Sequence, residues 1–238
     1  MSAQAERAQR LGSGAMFDGI AGRYDLLNRV ISFGIDRGWR KKAAQALALT
    51  EGAGSVLDVA SGTGDLAFAV REAWPHAGVV GVDPSTKMLE IAAQKAEARG
   101  LSQVLRFEVA EAEALPFDDG TFDGVTIAFG IRNVVDRPRG LAEMRRVTRR
   151  GGRVVVLELS EPQGGVMSSL ARVHVHHVVP FVGGLLSGRK EYGYLQASIA
   201  AFPPPDAFAK MMEQAGLADV RAEPLTMGVA HLYVGVVP

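Results

Sequence analysis

The run Val56-Leu57-Asp58-Val59-Ala60-Ser61-Gly62-Thr63-Gly64-Asp65-Leu66-Ala67 constrains this chain more than any other segment. A short apolar strand enters a glycine turn and leaves it as a helix. Gly62 and Gly64 permit the turn and let a ligand approach the backbone. The N-terminus of the following helix offers N–H groups that have no intrahelical partner. A strand, turn and helix in this order predict a ligand site at the carboxyl edge of a parallel sheet.

The flanking sequence repeats the same alternation. Strand-like runs at Ser55 to Val59, Gly78 to Val82, Val104 to Val109, Gly124 to Phe129 and Gly152 to Leu159 are separated by amphipathic stretches. Helices are predicted from the glycine turn through Trp74, over Ser85 to Arg99 and near Pro138 to Arg149. This is a βαβ series and predicts an α/β fold, Rossmann-like, with a mostly parallel sheet covered on both faces. Residues 1–50 form a helical cap, in two pieces broken near Ser32-Phe33-Gly34 with Asp36 starting the second, and 51–160 form the ligand-binding core. An irregular, partly apolar stretch over 161–202 reads as an insertion on the substrate side. Residues 203–238 supply a closing helix, with Asp206 as its cap and Gly216 as its end, and strands at Asp219 to Ala222 and Val229 to Val237. The whole chain, 1–238, reads as one domain.

Charge discriminates among ligands. Asp83 ends the next strand, roughly twenty residues beyond the glycines, where a carboxylate accepts hydrogen bonds from both hydroxyls of a ribose. The spacing Gly62-x-Gly64-x-x-Ala67 also matches a relaxed dinucleotide fingerprint, which keeps an NAD-dependent oxidoreductase in view. Asp58 and Asp65 argue against it. Two carboxylates beside the loop repel a pyrophosphate, whereas they attract the ammonium and sulfonium of S-adenosyl-L-methionine. With that ligand, the turn at Glu111-Ala112 lies near the adenine, and a methyl donor is the expected occupant.

Composition narrows the remaining classes. Lysine plus arginine equals aspartate plus glutamate at 26 each, so no global field argues for a nucleic-acid partner. The chain has no cysteine, which removes disulfides, thiolate metal sites and a cysteine nucleophile. His174, His176 and His177 lie in an apolar run without a nearby carboxylate, a poor metal set, so no metal is expected. The first residues lack the apolar core of a signal peptide, and no run approaches the ~20 apolar residues of a membrane span. A cytoplasmic location is the expectation.

Three further motifs carry a specific resemblance. They are Met16-Phe17-Asp18-Gly19-Ile20-Ala21-Gly22-Arg23-Tyr24-Asp25, Arg37-Gly38-Trp39-Arg40 and Phe129-Gly130-Ile131-Arg132-Asn133-Val134. With Leu157-Glu158 and Tyr194-Leu195 they span nearly the whole chain, which resembles the ubiquinone/menaquinone biosynthesis C-methyltransferase family. The resemblance implies the class I methyltransferase fold with seven strands, S-adenosyl-L-methionine as donor and a polyprenyl quinol as acceptor. It implies donor contacts at Thr63, Asp83, Glu111, Ala112 and Ala128, beside the loop residues Asp58, Gly62 and Gly64. Glu111 stands where the family often has an amide or aspartate, and Ala128 where it often has a serine.

Methylation at a ring carbon requires a phenolate that pushes charge onto that carbon. Arg132 and Asn133 follow the fourth strand at the same sheet edge, and Arg132, protonated near neutral pH, is assigned to stabilising the phenolate. Asn133 orients an oxygen, and Tyr24 and Asp25 are candidates for proton handling and for closing the site. The apolar stretch Val173 to Leu186 reads either as helical core or as a groove for an isoprenoid tail that touches the membrane surface. Arg189 and Lys190 sit where they could meet head groups. That places the protein peripheral to the inner membrane. A monomer and a homodimer both stay open, as do another small-molecule acceptor and a noncatalytic scaffold.

Overall fold

The alternating strands and helices assemble into one seven-stranded sheet in the order β3-β2-β1-β4-β5-β7-β6. The structure is a computed structural model that describes residues 17–19, 21–22, 34–49, 54–160 and 197–238. Its strands are β1 (Ser55–Val59), β2 (Gly78–Asp83), β3 (Leu105–Val109), β4 (Phe122–Ala128), β5 (Thr148–Leu159), β6 (Ala218–Leu225) and β7 (Ala230–Val236). Its helices are α1 (Asp36–Ala46), α2 (Asp65–Ala73), α3 (Thr86–Ala98), α4 (Arg137–Val147) and α5 (Pro205–Gln214). All neighbours from β3 to β5 pair parallel, and β7 runs antiparallel to both β5 and β6. This is the Rossmann-like class I arrangement expected from the sequence. Strand order reverses between β1 and β4, so a crevice opens above their carboxyl ends.

The period of two along each strand sorts side chains onto two faces. Leu57, Val59, Val154 and Val156 point into a core shared with Leu141, Met144, Phe208 and Met212 of α4 and α5. Val56, Val155 and Leu157 point the other way, against Trp39, Ala43, Ala44, Leu66 and Val70 of α1 and α2. Fully burying an aliphatic side chain of this size stabilises by about 1.5–3 kcal/mol, and most of these are almost wholly buried, so a one-residue slip in register is strongly disfavoured. The same parity puts Asp58 on the face covered by α1 and α2. It puts Glu158 on the face covered by α4 and α5.

Several boundaries differ from the sequence expectation, among them the start of β4, at Phe122 rather than Gly124. Helix α4 stops at Val147, and β5 begins at Thr148 rather than Gly152, because Thr148 pairs with Phe122 before the strand bulges and resumes at Arg153 opposite Gly124. Asp206 is not a cap: Pro204 occupies the N-cap, Pro205 opens α5 and Asp206 lies in its first turn. Strand β6 extends beyond Ala222 to Leu225. Tyr24, Asp25, the three histidines, Arg189, Lys190 and the stretch Val173 to Leu186 lie outside the described residues.

Candidate active site

The glycine turn takes its shape from positive φ at Gly62 (55°) and Gly64 (85°), and Ala60, just before it, is also left-handed at 50°. Phe129, which follows β4, has φ 57°. Both strands at the reversal point therefore end in a conformation that costs a non-glycine residue energy, a pattern that accumulates at functional sites. Asp83 ties the turn down: its Oδ2 accepts from the Gly62 N–H at 2.9 Å and its Oδ1 from the Ser85 N–H at 2.9 Å. A carboxylate offers about four acceptor sites, so two remain for a ribose diol. Burial, opposed by those two backbone donors, pushes the Asp83 carboxyl above its ordinary range, and the nearby Asp18 adds to the rise.

Asp18 reaches the same corner from the N-terminal segment. Its Oδ1 accepts from Ser85 Oγ at 2.6 Å, while Ser85 Oγ accepts from the Met88 N–H and caps α3. Phe17 then forms a wall of an open cleft. Its lining combines acids, Asp83, Glu111 and Glu113, with the apolar side chains of Met88, Phe129, Val134 and Val135 and the amide of Asn133. A smaller pocket lined by Arg40, Asp58, Ser61, Thr63 and Asp65 adjoins it, and the two share Ala60, Gly62 and Ala128.

Asp58 is 1% exposed and accepts from Ser61 Oγ and Thr126 Oγ1, both at 2.8 Å. Burial pushes its carboxyl from 3.8 up to about 6, against those two bonds, the positive charge of Arg40 and a backbone bond from Ala67. A buried carboxylate that is costly to ionise is stabilised when a cation enters beside it. Asp65, by contrast, is already paired with Lys95 Nζ at 3.0 Å. The donor set fits S-adenosyl-L-methionine: a diol acceptor at one end, carboxylates and an arginine at the other, and open backbone at Gly62 between them.

The expected residues do not all face the cleft. Glu111 lines it from an exposed position, while Glu113, two positions on, lines it buried, with Oε1 accepting from the Asp136 N–H at 3.2 Å. Asn133 lines the cleft. Arg132 turns away from it: its Nη1 donates to Glu158 Oε1 at 2.6 Å and to the Phe129 carbonyl at 2.5 Å, and its N–H donates to Glu158 Oε2 at 3.1 Å. Arg132 and Glu158 side chains are 8% and 0% exposed, so the pair anchors the short turn that presents Asn133. Arg40, Glu113, Thr126 and Glu158 had no assigned role in the sequence reading. Arg40 and Glu158 stood in motifs that carry the family resemblance, and Asp36 and Arg40 are spaced one helical turn apart. Among the described residues no group of three or more histidines and acids is placed to hold a metal.

Comparison with known proteins gives a consistent result. The model of the ubiE/COQ5 methyltransferase family matches residues 3–237. The chain is 52% identical over 221 residues to the demethylmenaquinone methyltransferase of Thermus thermophilus, covering 92% of this chain and 99% of that protein. It is 48% identical over 221 residues to the Deinococcus radiodurans protein of the same name, covering 92% and 90%. Among solved structures, a putative methyltransferase complexed with the Trm112 activator of Haloferax volcanii superposes with a TM-score of 0.65 at 21% identity, covering 93% of this chain and 97% of that one. A S-adenosylmethionine-dependent methyltransferase of Thermotoga maritima gives 0.65 at 20% identity, covering 94% and 99%. At those identities the structures speak to the fold, and the family rests on the sequence matches. With the family model running almost from end to end over a crevice fitted to a methyl donor, the chain belongs to the ubiE/COQ5 methyltransferase family and is a S-adenosyl-L-methionine-dependent methyltransferase.

Proposed function

We propose that this enzyme transfers a methyl group to a ring carbon of a polyprenyl quinol, as the names of its relatives indicate for them. The observation that carries the reading is that the cleft which holds Asp83 is also lined by Phe129 and by the amide of Asn133, both just after β4. A flat ring with one oxygen to orient suits that surface. Bound S-adenosyl-L-methionine supplies an electrophilic methyl group on its sulfonium. Asp83 holds the ribose, with Thr63, Gly62, Gly64 and Ala128 along the remainder of the donor and Glu111 and Ala112 at the adenine edge. Asn133 would hold a ring oxygen and so orient the neighbouring carbon toward the methyl group.

Arg132 acts behind Asn133: its guanidinium is paired with Glu158, so the pair is neutral as a whole and its effect on the quinol comes through the rigidity of the turn. Tyr24 and Asp25 are the groups proposed to take the phenol proton. A lipid-tailed acceptor brings the enzyme to the membrane surface from the cytoplasmic side, and no described helix is long and apolar enough to cross a membrane. The test is turnover with S-adenosyl-L-methionine and short-tailed demethylmenaquinol beside the benzoquinol counterpart, followed by mass spectrometry. A methylated ring from either establishes the reaction and ranks the acceptors. Donor binding without product from both verified quinols would move the assignment to another acceptor.

A further inference from the structure

The smaller pocket of the donor crevice sets one cation, Arg40, beside the carboxylates of Asp58 and Asp65. Arg40 lies on α1, outside the sheet, yet forms a wall of the same pocket as Asp58, Ser61 and Thr63. Its side chain is 8% exposed. Asp36, one helical turn earlier, pairs with its Nη1, and the guanidinium carbon sits 5.1 Å from the centre of the Phe129 ring. Its charge is close enough to oppose the rise in the Asp58 carboxyl.

A structural ion pair accounts for the contact with Asp36 but not for the place. Burying two charges costs desolvation that an apolar pair avoids, so a buried arginine in a ligand pocket calls for a partner beyond its helix neighbour. The helix that carries it is fixed on three sides. Trp39 Nε1 donates to Thr226 Oγ1 at 2.9 Å, Trp74 Nε1 donates to the Ala44 carbonyl at 2.8 Å, and Arg153 Nη1 donates to the Ala46 carbonyl at 3.0 Å. An arginine on so fixed a platform loses little further freedom when it binds. Its planar set of donors suits a carboxylate.

We propose that Arg40 binds the α-carboxylate of the amino-acid end of S-adenosyl-L-methionine. Asp58 and Arg40 then present opposite charges to a zwitterion, and the pocket selects a ligand that carries both an ammonium and a carboxylate. A dinucleotide offers neither at this position. The inference rests on the methyl-donor reading and deepens it.

Isothermal titration calorimetry separates the two. The ligands are S-adenosylhomocysteine, its decarboxylated analogue 5′-deoxy-5′-(3-aminopropylthio)adenosine, and 5′-methylthioadenosine, which lacks the amino-acid end. Arg40→Met should weaken S-adenosylhomocysteine by about tenfold or more, the size expected for a charge-assisted hydrogen bond, while 5′-methylthioadenosine changes by less than about twofold. Arg40→Lys, which keeps the charge beside Asp36, should weaken S-adenosylhomocysteine by several-fold and leave the decarboxylated analogue unchanged. This second variant carries the test if loss of the buried charge prevents Arg40→Met from folding. Equal losses for all three ligands would make Arg40 a structural residue and overturn the proposal, as would no loss for any. No binding of S-adenosylhomocysteine by the unaltered enzyme would overturn the donor reading and the proposal together.

Discussion

Replacing Asp58 by asparagine removes the charge from the most deeply buried acid of the donor pocket while keeping its shape. Thr126 has a second acceptor, the Leu57 carbonyl at 3.5 Å, so its hydroxyl can turn and accept from the new amide. The folded carboxyl holds its proton up to about pH 6 against 3.8 in the unfolded chain. Its contribution therefore favours the fold fully below the unfolded value and is lost as pH rises through the folded one. At pH 7 the loss amounts to about 3 kcal/mol, and it falls to well under about 1 kcal/mol at pH 4. In the absence of donor, Asp58→Asn is expected to be the more stable protein at neutral pH by up to that amount, or about 6–12 °C in Tm for a chain of this size. The gap should close toward pH 4. Urea denaturation of both proteins across this range measures it, and calorimetry with S-adenosylhomocysteine should show the variant binding at least about tenfold more weakly. A variant no more stable than the parent at pH 7, or a gap that does not narrow in acid, would refute the reasoning that burial without a cation strains this carboxylate.

Asp83→Asn removes a carboxylate that braces Gly62 and is proposed to hold the ribose; S-adenosylhomocysteine affinity should fall about tenfold or more, measured by calorimetry. Glu158→Ala strands Arg132 as a buried, unpaired cation and should cost about 3–5 kcal/mol in urea denaturation; a loss below about 1 kcal/mol would mean that Arg132 reaches water. Gly130→Ala places a Cβ 2.5 Å from Ala60 Cβ and should destabilise by about 1–3 kcal/mol in thermal melts. Adding Ala60→Gly removes that clash and the positive-φ cost at residue 60, and should recover most of the loss.

Local pattern carried much of the fold. The β-branched runs, the amphipathic stretches between them and the turn at Gly62 and Gly64 each report their own burial and backbone needs, so β1, α2, β2 and α3 were legible nearly residue by residue. Asp83 was legible because its distance from the glycines is fixed by one crossover unit. The start of β5 at Thr148 was not, since it depends on pairing with Phe122 across the sheet, and the polar run at Arg149 to Gly152 carries no alternation. Among the acids of the turn after β3, sequence favoured Glu111, and only the packed chain shows that Glu113 is the buried one.

The sequence by itself determined a parallel α/β sheet, a nucleoside-binding turn and the family. The tertiary structure decided which charges meet. Arg40 comes to Asp58 because α1 covers the face that alternation assigns to Asp58, and Arg132 comes to Glu158 because β4 and β5 are neighbours. Such partners cannot be read along the chain, because the strength of a charge pair depends on its separation and its exclusion from water, and both are set only when distant elements pack.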